Sequence, residues 1–189
     1  MPRTSSEHTR RQIVDAAYES FYQRGFARSS VDEIAAMAKV TKRTLYNHFD
    51  SKDSLLAAVL ETQRELSPSR IQKYQERYSG NAERFVSVLF EEFRKWSERP
   101  GWAGSGITRL ALELADLPGH PARLVARRHK SQMQDWLEGM LRRAGTRRSS
   151  AKARELQLLV EGAGVMMLIS GDRSYADTAA TLAIRLLSA

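Results

Sequence analysis

The chain has 189 residues, 42% of them hydrophobic and 28% charged, with no cysteine and a formal net charge of +8. That composition suits an ordinary globular protein and excludes disordered and fibrous classes. A fold of this length buries roughly 70% of its unfolded surface, so it needs no staple. The missing cysteines exclude disulfides, thiolate metal sites and a cysteine nucleophile, and suit a reducing compartment.

Nearly every periodic segment reads at helical spacing and none alternates as a strand does. A first helix is predicted from Glu7 to Arg24, with a stripe of Ile13, Ala16, Ala17 and Phe21 and a stop at Gly25; His8 is assigned to a mobile, basic N-terminal arm. Ser30-Val31-Asp32-Glu33 makes a capping box for a short second helix. After Lys39-Val40, Thr41 is placed to cap a third, with Leu45 and Phe49 inward. Asp50-Ser51 caps a fourth, which Ser67-Pro68 kinks or ends.

Asn81 caps the next helix, closed by Arg99-Pro100-Gly101. Ile107 to Leu117 marks another, ended by Pro118-Gly119, and Val125 to Leu141 a further one, stopped at Gly145. Thr146 to Lys152 reads as a loop or a frayed start. Two apolar helices finish the chain. The fold class is all-α with about nine helices: three helices over 1–52 and a helical bundle over 53–189.

Two short helices joined by a tight turn, with a third packed ahead of them, form a helix-turn-helix, whose second helix enters the DNA major groove. The outer face of that helix collects Lys42, Arg43, Thr44, Tyr46, Asn47 and His48. Lys or Arg reads guanine and Asn reads adenine, whereas Thr and Tyr suit phosphate. A solvated helix face is the bland alternative, and it accounts poorly for Tyr46 and His48 among basic residues.

The run Ser30-Val31-Asp32-Glu33-Ile34-Ala35, then Val40-Thr41-Lys42-Arg43-Thr44-Leu45-Tyr46-Asn47-His48-Phe49 and Ser51-Lys52-Asp53-Ser54-Leu55-Leu56, resembles the tetracycline-repressor (TetR) family of bacterial transcriptional regulators. The resemblance covers about fifty residues. Beyond them, only length, helicity and the apolar final helices agree. It implies backbone or groove contacts from Tyr46, His48 and Lys52, and a phosphate contact from Ser30. Thr41 belongs to the same surface, with Lys42, Arg43, Thr44 and Asn47 as candidate base readers. Lys39 departs from the pattern, standing where the family often has glycine. In a left-handed conformation Lys costs about 1 kcal/mol relative to Gly.

The other constellations are weak. Gly104-Ser105-Gly106 follows no strand, so it leads into a helix instead of cradling a phosphate. Glu113 and Asp116 share a helix face, but such pairs are far more often solvated or salt-bridged than catalytic. Nine residues of helix separate His120 from His129 and put them on opposite faces, which is no metal site. No catalytic residue, metal or cofactor is therefore assigned.

Between His120 and Arg154 lie ten Lys/Arg and two Asp/Glu, so this one stretch holds the whole charge excess. A stretch of this kind serves as a footprint for nucleic acid or anionic lipid. More often it is a solvated helix face plus a loop. The aromatic and methionine residues of the C-terminal region are mostly core at helical spacing. Phe93, Trp96, Trp136 and Met140 are the candidates to line a pocket for a hydrophobic or aromatic effector. Glu161, alone in an apolar helix, orients a ligand, pairs with an Arg or faces solvent.

The last two helices are expected to form a homodimer through Gly162, Val165, Ala179, Leu182 and Leu186, because a helix apolar on nearly all sides needs cover on nearly all sides. The polar start MPRTSSEHTRRQ lacks a signal peptide's apolar core. The longest apolar run, Leu158 to Ile169, is broken by Glu161 and too short to span a bilayer. Together these readings give a cytoplasmic, dimeric, ligand-responsive repressor on a palindromic double-stranded DNA operator, with no membrane partner. Two alternatives remain. One is a non-specific nucleic-acid or membrane-surface binder acting through the basic stretch; the other is a helical carrier or enzyme that borrows the shape.

Overall fold

A computed structural model of the chain describes residues 5–63, 78 and 80–188. Among these residues there are nine helices and no strand. They are α1 (Ser5–Arg24), α2 (Val31–Met37), α3 (Lys42–His48), α4 (52–63), α5 (Ala82–Ser97), α6 (Gly106–Glu113), α7 (Pro121–Arg143), α8 (Ser149–Ser170) and α9 (Ser174–Ser188). The predicted kink at Ser67-Pro68 lies outside the described residues.

Local chemistry sets four of the helix starts. Ser30 Oγ accepts from Glu33 N at 3.1 Å and Glu33 Oε2 accepts from Ser30 N at 3.2 Å, a complete capping box on α2. Thr41 Oγ1 caps α3 by accepting from Thr44 N at 3.0 Å. Ser51 and Ser54 exchange hydroxyl and amide bonds of 3.0 and 3.1 Å at the start of α4. Asn81 Oδ1 caps α5, accepting from Arg84 N at 2.8 Å.

Several boundaries differ from expectation. His8 belongs to α1 rather than to an arm preceding it. α6 ends at Glu113, not at Pro118, because residues 114–117 close instead into tight turns, with Ala115 N donating to Leu112 O and Leu117 N to Leu114 O. α8 begins at Ser149, inside the expected loop, behind a left-handed Arg148 (φ 55°) that makes no side-chain cap.

Packing divides the chain into two compact units: Met1–Leu66 with Gly106–Arg128, and Ser67–Ser105 with His129–Ala189. The division by packing thus falls elsewhere than the expected functional boundary after Lys52, because Leu110, Leu114, Ala122 and Val125 share one core with the first four helices. In that first unit, Ile13, Ala17 and Phe21 of α1 meet Ile34, Leu45, Leu55 and Leu56, all fully buried.

The second unit has its own core, in which Phe85, Phe90, Trp136, Leu137 and Met140 pack with Leu156 and Ala163. α9 lies against α5 and α8. Its alanine face points inward: Ala176, Ala179 and Ala183 are at most 5% exposed. Small side chains let α9 approach its own neighbours closely, so Ala179, expected at a dimer interface, is occupied within the chain.

Candidate nucleic-acid interface

α2 and α3 are joined by a turn whose geometry can be read bond by bond. Lys39 N donates to Ala36 O at 3.1 Å and Val40 N donates to Ala35 O at 3.0 Å, which is the Schellman termination of α2. Lys39 holds the left-handed position of that motif with φ 55°. Leu45 (0% exposed) and Phe49 (4%) anchor α3 in the first core and fix which face turns outward.

That outward face is the one expected. Lys42, Arg43, Tyr46 and Asn47 are exposed, whereas Thr44 and His48 are half-buried. The two hydroxyls of Thr41 and Thr44 bond each other at 2.8 Å. Lys42 Nζ reaches Asp32 Oδ2 of α2 at 3.0 Å, and this bond raises the lysine's pKa. The guanidinium of Arg43 and the amide of Asn47 lie one helical turn apart, in the i, i+4 relation that lets two side chains address neighbouring positions.

The flanks are more engaged than the sequence implies. Ser30 is committed to the capping box, and Glu33 also pairs with Arg24 at 2.7 Å. The Ser30 backbone amide, its hydroxyl and the Arg24 charge together hold the Glu33 carboxyl below the usual carboxylate range. Lys52 places its ammonium 4.2 Å from the centre of the Phe26 ring, and burial pushes its pKa down.

Three residues of the same unit hold this region from a distance in sequence. Glu113 Oε2 accepts from Phe26 N at 2.7 Å and from Ala27 N at 3.3 Å, so it caps a loop instead of pairing with another side chain. Arg109 donates to the carbonyls of Phe21, at 3.2 Å, and Tyr22. His120 is buried; its Nδ1 accepts from Ala122 N at 3.1 Å, its Nε2 lies 3.4 Å from Asp53 Oδ1, and its ring meets Phe26 edge-on. None of the three carries a local motif that would have exposed its role.

In the second unit the four expected pocket residues fall into two aromatic groups. Trp136 packs edge-on to Phe85 in the core with Met140, while Phe93 stacks on Trp96 and Trp96 meets Trp102 edge-on. A Cβ at Gly164 would stand 3.0 Å from Phe93 Cζ, so the ring would have to give by a few tenths of an ångström to admit one. Arg173 lies over Trp102 at 4.6 Å. An open polar cleft in the same unit lies elsewhere, lined by Asn81, Glu83, Thr146, Arg147 and Lys152.

Glu161 pairs with Lys130. Of the expected interface residues, Gly162, Val165 and Leu182 are exposed and Leu186 is half-buried. Much of the basic stretch is engaged within one unit or the other. Arg128 pairs with Glu61 and Arg142 with Glu138, and Lys152 donates to Leu187 O. Among the described residues no cluster of His and carboxylates fits a metal, and no helix is long and apolar enough to cross a membrane.

Residues 13–59 match the family described as bacterial regulatory proteins, tetR family. The sequence is 40% identical over 60 residues to the HTH-type transcriptional regulator TtgR of Pseudomonas putida, covering 32% of this chain and 29% of that protein. It is 46% identical over 55 residues to the A-factor receptor protein of Streptomyces griseus, 29% of this chain and 20% of the relative. A third match is the transcriptional activator FasR of Mycolicibacterium smegmatis, 44% identical over 59 residues, with 31% of this chain and 27% of the relative covered. The chain thus spans less than a third of the length of these curated relatives.

Solved structures extend the likeness of fold to the whole chain. A TetR-family regulator from Streptomyces coelicolor superposes with a TM-score of 0.84 at 24% identity, covering 97% of each chain. One from Agrobacterium tumefaciens gives 0.81 at 18% identity, covering 96% of this chain and 98% of that one.

Proposed function

We propose that the chain, whose residues 13–59 match the family described as bacterial regulatory proteins, tetR family, regulates transcription by binding a palindromic double-stranded DNA operator as a homodimer, most simply as a repressor released by a small molecule. The observation that carries the reading is the outer face of α3. Lys42, Arg43, Tyr46 and Asn47 stand exposed on a helix that Thr41 caps and that Leu45 and Phe49 lock in place. Such groups can hydrogen-bond base edges in the major groove.

In this reading residues 1–52 form the DNA-binding domain. Lys42, Arg43, Thr44 and Asn47 read bases; Ser30, Thr41, Tyr46, His48 and Lys52 meet backbone or groove. In the structure the Lys52 ammonium rests on the Phe26 ring. Residues 53–189 bind the effector and the second subunit, and the protein acts in the cytoplasm. The exposed apolar side chains Val165, Met166, Ile169 and Leu182 support the dimer. The Phe93, Trp96 and Trp102 group supports a hydrophobic or aromatic effector over a sugar.

Selection of bound duplexes from random DNA tests the reading. It should return an inverted repeat whose half-sites lie about one helical turn apart. Affinity for that duplex should fall steeply with salt. Recovery of no enriched sequence, with binding indifferent to loss of Arg43 and Asn47, overturns it.

A further inference from the structure

The corner between α1 and α2 is held by side chains that come from more than eighty residues away. α1 ends at Arg24, where its last carbonyls run out of successors in the helix ladder, and the following loop turns back through Gly25. Two side chains of α6, one helical turn apart, close both halves of this corner. Arg109 donates to the Phe21 and Tyr22 carbonyls, and Glu113 accepts from the Phe26 and Ala27 amides. The acceptor and donor are thus matched in sign to the two ends of the loop.

Gly25 is shaped to the carboxylate. Its φ of 87° lies in the left-handed region, and a Cβ at that position would stand 2.6 Å from Glu113 Oε1. Behind the loop, Phe26 is covered by the Phe21 and His120 rings and by the Lys52 ammonium. Ser29, three residues on, bonds back to Gly25 O and to Ser20, and Ser30 then opens the capping box of α2. The start of α2, and through the turn at Lys39 the direction of α3, therefore follow from where this corner is held.

We propose that Glu113, assisted by Arg109, is a positioning residue for DNA recognition. It touches no DNA and acts by fixing the α1–α2 corner from which the recognition helix is hung. This inference rests on the DNA-binding reading above. Glu113→Ala frees two backbone amides, whereas Glu113→Gln leaves an oxygen acceptor at the same reach. Because a charge-assisted bond is stronger than a neutral one and solvent here softens the loss, the expected effect of Glu113→Ala is roughly three- to ten-fold weaker operator binding.

The experiment uses the full chain and the duplex it selects from random DNA. Operator affinity, thermal unfolding and hydrogen exchange of the Phe26 and Ala27 amides are measured for wild type, Glu113→Ala, Glu113→Gln and Arg109→Lys. The proposal expects Glu113→Ala to expose both amides and weaken binding while helicity is kept, with Glu113→Gln restoring most of both. A Glu113→Ala chain whose amides exchange freely but whose affinity matches wild type overturns it. Equal loss of affinity in the Ala and Gln variants, with the amides still protected in Gln, does the same. Should Glu113→Ala not fold, Glu113→Gln and Arg109→Lys decide: affinity must fall in step with amide protection. A wild-type chain that selects no duplex refutes the DNA reading itself. A wild-type chain that binds normally beside an indifferent Glu113→Ala refutes only the clamp.

Discussion

Lys39 carries backbone strain at the turn that aims α3. An L-residue in the left-handed region costs about 1–2 kcal/mol; glycine relieves that strain but gives part of the gain back through its larger unfolded-state entropy. Lys39→Gly should therefore stabilise the protein by up to about 1 kcal/mol, raising the thermal midpoint by a few degrees. A midpoint that stays put or drops would show that the turn is not strained. Glu33 gives a second test, through pH. Its folded pKa is depressed by the Ser30 amide and hydroxyl and by Arg24. A carboxylate of that kind stabilises the fold above its unfolded pKa and loses the contribution as pH falls through the folded value. The stability gap between wild type and Glu33→Gln should be full at neutral pH and close below the usual carboxylate range. A gap independent of pH would mean that the charge of Glu33 is irrelevant to the cap.

At the scale of the element, α3 is seven residues long and would not persist alone in water. It exists because Thr41 caps it and because Leu45 and Phe49 are buried. Its outer side chains are thus free of structural duty, apart from Lys42 on Asp32 and Thr44 on Thr41. Arg43→Ala and Asn47→Ala should leave stability within about 0.5 kcal/mol. Each should relax base preference at one operator position by about 1–3 kcal/mol if its contact is bidentate. Binding assays on duplexes carrying single substitutions measure this directly, and unchanged preference in both variants would move recognition away from α3. α8 shows the opposite arrangement. Its residues Leu158, Val165, Met166 and Ile169 are from 36% to 75% exposed, although Ala163 and Met167 on the other side are buried.

For the molecule as a whole, that exposed apolar side of α8, with Leu182 of α9, is too large a liability to leave in water unless another surface covers it. Val165→Glu or Leu182→Glu should convert a wild-type dimer into monomers or aggregates, read by light-scattering mass across micromolar concentrations. A wild-type mass of one chain throughout that range would dispose of the dimer. Effector control is tested at the same scale. A ligand weakens operator binding only through its different affinities for the free and DNA-bound conformations, with a typical coupling of about 1–3 kcal/mol, or roughly 5–150-fold. Apolar compounds that raise the thermal midpoint should lower operator affinity by a factor in that range. Trp96→Ala, which removes a half-buried ring stacked on Phe93, should blunt the response. Full response in that variant would place the pocket elsewhere.

What the sequence determines by itself is local. Capping side chains reach only three residues along the chain, so the caps at Ser30, Thr41, Ser51 and Asn81 are legible in the order of residues alone. With them come the helix-turn-helix and its outward face, and periodicity likewise turns Leu45 and Phe49 inward. Tertiary structure decides what depends on separation in sequence. Whether Glu113 is solvated, paired or a cap turns on a loop 87 residues away. The same holds for Glu161, whose partner Lys130 sits on another helix, and for Lys52, whose ammonium rests on Phe26. Periodicity marks a face as apolar without saying which surface covers it. For that reason the alanines of α9, legible as a close-packing stripe, were free to choose between a second subunit and α5 and α8, and they pack within their own chain.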